Sequence, residues 1–357
     1  MKIDNSDRDI AIDIARGVAI LSMITGHFAE GGLIAKPFHA IEFFDGASAF
    51  VLLSGLLLGM VHRRRIDAER SFVPSRNQLI RRVSVIYICQ IAISLLALAI
   101  TAAGHFEATG LDMPNSGWQV VALRYLPPGG DVLSLYFVLM MATFGILPAL
   151  RAGYARWVMA GSVVLYGTAV IAPYALWNYW ASWQVLFVPA VVVGWYWKAN
   201  GIGKWLLSKS LAFIAGASVL AAVSIGFSRT VEDSLIYETL VDKTAFGPGR
   251  VIIAWVFVPV VYVLIRLAMS RIPESWFRPL QMTGSRSLDA YVIQACLVML
   301  LPLVISLPWG TAIETPLALA VFCLCWAWAE ARRHLKIDKL HRAPSIVVRK
   351  MNFLVSK

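Results

Sequence analysis

Residues 9–29 read DIAIDIARGVAILSMITGHFA, and this stretch decides the fold class. Its length matches the ~20 apolar residues that a helix needs to cross the hydrocarbon core of a bilayer. Similar runs recur along the chain, in which 59% of the 357 residues are hydrophobic and only 15% are charged. Soluble domains carry about 25% charged residues. We therefore predict an all-α, polytopic membrane protein with about ten transmembrane helices.

The predicted spans leave no soluble stretch long enough for a second core. Their boundaries are 9–29, 43–61, 84–104, 132–150, 157–176, 182–197, 205–227, 251–268, 288–308 and 312–331. We therefore expect one transmembrane domain over residues 1–335, followed by a basic cytoplasmic tail over residues 336–357.

The basic residues predict the orientation of the spans. If the N-terminus is cytoplasmic, 26 of the 32 Lys and Arg residues lie in inner segments and 5 in outer ones, with Arg16 inside a span. Such a bias towards cytoplasmic segments is the rule for inserted helices. Both termini are therefore expected in the cytoplasm, which requires an even number of spans.

The composition also argues against two kinds of partner. The net charge of +11 comes from residues at the ends of apolar spans, so we expect the lipid bilayer rather than a nucleic acid as partner. The four cysteines lie inside apolar runs, and no histidine accompanies the Cys323–Cys325 pair. We therefore expect no zinc site, no other metal and no permanently bound cofactor.

Asp9 begins the first span, and three further ionisable residues lie inside it, namely Asp13, Arg16 and His27. A charged side chain deep in a span costs at least ~2.5–3.5 kcal/mol, which makes each a functional candidate. Arg16 and His27 are eleven residues apart, so at ~100° per residue they share a helix face, ~16 Å apart along the axis. The alternatives are a structural Asp13–Arg16 ion pair and a His27 that hydrogen-bonds a neighbouring helix.

The second span begins with a carboxylate. Since this span runs inward, Asp45 is expected at the level of His27, where a carboxylate can orient an imidazole. Small residues would let this helix approach the first one closely. These residues are Gly46, Ala47, Ser54, Gly55 and Gly59. The alternative is that Asp45 caps the helix and the small residues serve packing alone.

An aromatic segment at residues 177–184 reads WNYWASWQ on the predicted outer side. Aromatic faces such as that of Trp183 stack on sugar rings, and the amides of Asn178 and Gln184 can hydrogen-bond hydroxyls. The alternative is an interfacial aromatic belt, which is common in membrane proteins.

The first two spans resemble a known family. Arg16 and His27, with ten residues between them, look like the arginine–histidine signature of the acyltransferase-3 superfamily, and more closely of the OpgC family, which succinylates osmoregulated periplasmic glucans. Further segments resemble that family in the same order along the chain. They are Asp13–Gly17, Asp45–Gly55, Asp131–Tyr136, Trp183–Phe187, Asp242–Arg250 and Gly284–Leu288. One departure is Ser48, where the family usually has an acidic residue.

The resemblance implies a bacterial inner-membrane enzyme that moves an acyl group from cytoplasmic acyl-CoA to a hydroxyl of a periplasmic glycan. Succinyl is the favoured group and acetyl the other candidate. By this resemblance His27 is the general base, or the carrier of a covalent acyl group, and Asp45 orients it. The donor would be bound by Arg16, Asp13, Arg81 and Arg82, with the last two on its phosphates. Asp131, Asn178, Trp183 and Gln184 would face the acceptor.

Two other functions fit parts of the sequence. A transporter or flippase for a glycan or anionic solute would also carry charges inside its spans, although we find no internal repeat of the kind many transporters show. A structural or sensory membrane protein has no use for three ionisable residues in one span. The enzyme interpretation accounts for more of the pattern.

The predicted topology can be tested with reporter fusions at Arg70 and Leu240. The first position belongs to an inner segment and the second to an outer segment, so a reporter active only outside the cytoplasm should be silent at Arg70 and active at Leu240. A cytoplasmic reporter serves as the reciprocal control. The same result at both positions would contradict the predicted orientation.

Overall fold

The protein is built from α-helices joined by short connections. The computed structural model describes residues 9–335, except 31, 42, 115, 173–177, 232–234, 244–245 and 306–310. The predicted tail lies outside these ranges, and within them no β-strand occurs, which confirms the all-α class. The helices are α1 Ile10–Phe28, α2 Gly46–Glu69, α3 Val73–Ala102, α4 Phe106–Thr109, α5 Trp118–Val121, α6 Asp131–Arg151, α7 Ala155–Ile171, α8 Asn178–Tyr196, α9 Ile202–Ser208, α10 Ser210–Val231, α11 Leu235–Val241, α12 Pro248–Met269, α13 Arg278–Ser285, α14 Ser287–Leu300 and α15 Thr311–His334.

Several of these helices are suited to crossing a bilayer, so the chain is a multi-pass membrane protein. Among the described residues, seven have the required length and hydropathy, namely α1, α2, α3, α6, α10, α12 and α15. An eighth span would combine residues 274–285 with 287–303, which meet at a bend of 77°. Helix α7 has only 17 residues, and α8 begins with polar and aromatic side chains. All ten predicted segments contain a helix, but their number as spans stays a prediction.

Helices α1 and α2 form the centre of the bundle. In their apolar windows 72% and 78% of the residues are buried, whereas the corresponding value for α10 is 11%. A helix that is apolar on all sides belongs inside a bundle or in lipid. We use "outer side" below for the side that holds the C-terminal end of α1, and "inner side" for the opposite one.

Glycines of α2 allow two different neighbours to approach it. A Cβ on Gly46 would overlap the backbone of α1 at Ala19. Deeper in the helix, a Cβ on Gly55 or Gly59 would instead meet the carbonyl oxygens of Phe187 and Val191 in α8. The prediction that all the small residues face α1 is therefore wrong for these two, because α2 turns this stretch of its surface towards α8.

Helix α1 also touches the corner between α13 and α14. A Cβ on Gly17 would overlap the carbonyl oxygen of Leu280, and one on Gly284 would overlap that of Asp13. The chain then turns sharply at Arg286 before α14 begins. Non-helical backbone at membrane depth is tolerated where protein covers it, and here α1 provides that cover.

The close approach of α2 and α8 predicts the effect of a single methyl group. Gly59→Ala should destabilise the fold by about 1–3 kcal/mol, because the added Cβ has no room beside the backbone of Val191. The measurement is the thermal unfolding midpoint of the purified protein in detergent. Gly145→Ala in α6 is the control, since open space surrounds that position and alanine is the better helix former. Equal midpoints for the two variants would contradict this packing.

Candidate functional site

Helix α1 carries the predicted functional side chains at two depths. Because the helix is continuous from Ile10 to Phe28, Arg16 and His27 lie ~16 Å apart along its axis, as predicted. Arg16 is 3% exposed and Asp13 is 2% exposed, whereas His27 is exposed at the outer end. A buried guanidinium and an accessible imidazole therefore occupy the two ends of one helix.

Arg16 is held by residues from two other helices. Its Nη2 donates a hydrogen bond of 2.5 Å to the hydroxyl of Ser287, at the start of α14. Its guanidinium lies 5.6 Å from the centre of the Phe50 ring of α2. Both contacts point the side chain into the bundle rather than towards lipid. The proposal that Arg16 snorkels to the interface is therefore not supported.

A narrow cleft lies directly beside Arg16. Its walls come from α2, α3, α6 and α14, and they include Phe50, Arg82, Tyr136, Ser287 and Tyr291. The Phe50 ring centre lies 6.0 Å from that of Tyr136 and 6.5 Å from that of Tyr291. Since Arg16 contacts two of the lining residues, Phe50 and Ser287, the cleft adjoins the buried part of the α1 face that carries Arg16 and His27.

The two arginines predicted to bind donor phosphates point in different directions. Arg82 is half-buried, lines the cleft and donates a hydrogen bond of 3.0 Å to the Tyr136 hydroxyl. Arg81 is exposed on another face of α3 and is not among the cleft residues. Of the two, Arg82 lines the cleft and Arg81 does not, because consecutive residues of a helix project about 100° apart, and donor binding by either stays a prediction.

Asp45 caps α2, as the alternative interpretation proposed. Its Oδ1 accepts hydrogen bonds from the backbone N–H of Ser48 at 2.8 Å and from the Ser48 hydroxyl at 2.6 Å. Its Oδ2 lies 3.5 Å from Arg250 and 3.8 Å from Lys243. Ser48 thus donates to Asp45 at a position where an acidic residue would repel it.

Asp45 does not reach the level of His27. The adjacent Gly46 packs against Ala19, Ser22 and Met23 of α1, so α2 begins about one helical turn inward of His27. Within the described residues no hydrogen bond joins His27 to Asp45. The contacts of Asp45 are with Ser48, Arg250 and Lys243, and its role as orienter of His27 stays a prediction that no contact supports.

The carboxylate with the strongest electrostatic influence on His27 is that of Asp131. Of the charged groups around the imidazole, Asp131 has the largest influence, followed by Lys243, Glu30 and His39. Asp131 is the first residue of α6 and is exposed. It was predicted to contact the acceptor, and the structure places it in the same outer cluster as His27. We call His27, Asp45, Asp131 and Lys243 the outer cluster.

Three residues predicted to bind the acceptor are buried. Trp183 is 1% exposed, packs on Phe246 and donates a hydrogen bond to the carbonyl of Lys243. Gln184 is 4% exposed and uses both ends of its amide on Ser162, at 2.6 and 2.8 Å. Asn178 is also 4% exposed. All three are thus buried in the bundle, so their role in acceptor binding stays a prediction; Trp177 lies outside the described residues.

No sequence pattern singled out Tyr291 as a candidate. This residue is buried, lines the cleft, and donates a hydrogen bond to the carbonyl of Gly129. Gly129 has a φ of +74°, a conformation that glycine adopts readily. The cluster of prolines and glycines at residues 127–130 indicates an ordered loop, but it does not indicate that Tyr291 is the residue that bonds to this loop.

The family assignment follows from comparison with known proteins. The model of the family described as OpgC protein matches residues 8–337. No curated protein and no solved structure matches the chain. The matched range includes α1, the outer cluster and the cleft. Because the match covers most of the chain, the protein belongs to the OpgC family.

Proposed function

We propose that this protein is a membrane-bound O-acyltransferase, which takes an acyl group from cytoplasmic acyl-CoA and places it on a hydroxyl of a periplasmic glycan. Membership of the OpgC family supports a role in glucan modification. The observation that carries the finer proposal is that one helix, α1, holds a buried Arg16 beside a cleft and an exposed His27 at its outer end. Such an arrangement suits a donor and an acceptor that meet from opposite sides.

His27 is the proposed general base. It takes the proton of the acceptor hydroxyl as that oxygen attacks the thioester carbonyl, so that a C–O bond forms and the C–S bond breaks. The proton then passes to the departing thiolate of CoA. Asp131, whose charge acts most strongly on His27, replaces Asp45 as the carboxylate that stabilises the protonated imidazole. The route through an acyl-His27 intermediate uses the same residues.

The donor lies along the cleft in this proposal. Arg16 and Arg82 border it, and both can make charge-assisted hydrogen bonds to a phosphorylated thioester. Asp13 lies one turn from Arg16 on the buried side of α1 and helps to shape this end. The acceptor approaches from the outer cluster, where Asp131 is exposed.

Lys243 favours succinyl over acetyl as the transferred group. Its side chain is 64% exposed, lies 3.8 Å from Asp45 and is among the charges that act on His27. A succinyl group carries a second carboxylate that an ammonium beside the reacting carbon can bind, and acetyl has no such group. The Lys243 backbone is fixed by Trp183, which keeps the residue at the site.

The first test replaces the base. His27→Ala should insert and fold normally but lose ~10²–10⁴-fold in acyl transfer per folded molecule, because a general base contributes that much. Turnover is followed as CoA release from succinyl-CoA with a glucan acceptor, using detergent-purified protein of equal monodispersity. His105→Ala, an exposed histidine after α3, is the matched control.

Two outcomes would contradict this assignment. If His27→Ala keeps most of its turnover, His27 is not the base. If the wild-type protein binds glucan or an anionic solute and moves it across a membrane without releasing CoA, the protein is a transporter or flippase.

The second test concerns the donor. Arg16→Ala should weaken binding of CoA by ~1.5–3 kcal/mol, which is the value of a hydrogen bond to a charged group. Direct binding to the purified variant is the measurement, and Arg156→Ala, an exposed arginine at the start of α7, is the control. Unchanged CoA affinity in Arg16→Ala would remove Arg16 from the donor site.

A further inference from the structure

A buried group of polar side chains lies between the inner ends of α2 and α3. Helix α2 ends at Glu69 and α3 begins at Val73, so the last turns of one face the first turns of the other. Ser75, Leu79 and Arg82 recur at spacings of four and three residues, which places them on one face of α3. Ser75 and Leu79 are 0% exposed, so this face is the one turned into the protein.

Two residues of α2 meet that face. Arg65 donates a hydrogen bond from Nη1 to the side-chain oxygen of Gln78. His62 is 4% exposed, and the charges that act on it are those of Arg65 and Arg82. His62 lies one turn before Arg65 on α2, and Gln78, which Arg65 contacts, lies one turn before Arg82 on α3, so the imidazole and both guanidinium groups are neighbours.

Among the residues that the structure describes, no carboxylate pairs with the positive charges of this buried group. Arg65 bonds to the neutral Gln78 and Arg82 to the neutral Tyr136. Neither forms an ion pair with a carboxylate in the part of the chain that the structure describes, and the neighbouring Asp67 bonds Arg63 instead. Burying like charges together is unfavourable unless an anion joins them.

Several polar atoms here are also without hydrogen-bond partners among the described residues. They are Nδ1 of His62, Nε of Arg65 and Oγ of Ser75. Each such buried atom costs about 1–3 kcal/mol if it stays unpaired. All of these groups can be satisfied by one multivalent acceptor.

We propose that His62, Arg65, Ser75 and Arg82 form a phosphate-binding site at the inner end of the cleft. Its ligand class is a phosphate ester or diphosphate, whose oxygens accept from guanidinium, hydroxyl and imidazole donors. Arg82 belongs to both this site and the cleft, so a phosphate here continues into the space beside Phe50 and Arg16. The identification of the ligand as the nucleotide end of acyl-CoA rests on the proposed function.

The test measures binding of CoA to the full-length protein in detergent by calorimetry. Arg65→Gln and Arg82→Gln should each weaken CoA binding about 10-fold or more, because each removes a charge-assisted contact to phosphate. Arg76→Gln is the matched control, since Arg76 is exposed on the same turn as Ser75, and its affinity should stay within about twofold. Pantetheine, which lacks phosphates, should bind all four proteins equally.

A folding measurement separates binding from structure. Without ligand, neutralising one of two like charges should leave the unfolding midpoint unchanged or raise it. Addition of inorganic pyrophosphate should then raise the midpoint of the wild type more than that of either variant. A fall in the ligand-free midpoint of both variants, with unchanged affinity for CoA and pyrophosphate, would overturn the proposal.

The remaining outcomes distinguish the possible sources of the phosphate. If the wild type binds pyrophosphate through Arg65 and Arg82 but does not bind CoA, the phosphate site is supported while the donor and the proposed function fail. If nanodiscs with phosphatidylglycerol abolish CoA binding that nanodiscs of phosphatidylcholine permit, a lipid headgroup occupies the site and the donor assignment is overturned. An equal loss of CoA affinity in Arg76→Gln would show that general surface charge attracts CoA, and this result would also overturn the proposed phosphate-binding site.

Discussion

The contact between α1 and the α13–α14 corner is the constraint on which the site depends. Gly17 and Gly284 let the two backbones touch, and this contact brings Ser287 within hydrogen-bonding distance of Arg16. A guanidinium at this depth would cost at least ~2.5–3.5 kcal/mol in lipid. Because protein surrounds it instead, the charge can remain next to the cleft. The rigidity of α1 then sets the separation between Arg16 and His27.

Guanidinium groups gather at the inner end of the bundle, whereas the outer cluster holds charges of both signs. The inner end collects guanidinium groups at Arg16, Arg65 and Arg82, whereas the outer cluster supplies the carboxylates of Asp45 and Asp131. The aromatic walls of the cleft lie between them. In a low-dielectric interior, fixed charges act over longer distances than in water. In the proposed function, the phosphates of the donor therefore lie on the inner side and its acyl end on the outer side, where Lys243 can bind a second carboxylate.

Helical periodicity is a local property, which is why the sequence predicts the common face of Arg16 and His27 and the presence of a helix in every apolar run. The level of Asp45 depends on how far the 29–45 connection folds back, and no local pattern fixes that distance. The partner of Gly55 and Gly59 depends on which helix packs beside α2. Trp183 and Gln184 are buried for the same reason, because tertiary packing decided which side of α8 faces inward. Asp131 and Lys243 reach His27 from distant parts of the chain.

The bond between Arg16 and Ser287 has a consequence for biogenesis. The two residues are 271 positions apart, so the helix that carries Arg16 leaves the ribosome well before the one that carries Ser287. At typical synthesis rates of about 5–20 residues per second, roughly 15–55 s separate them. During that interval α1 has to be accommodated in the membrane with its guanidinium not yet bound to α14. The surroundings of Arg16 are thus completed only after α14 has been synthesised, and a chain that stops before α14 lacks the Ser287 partner of this arginine.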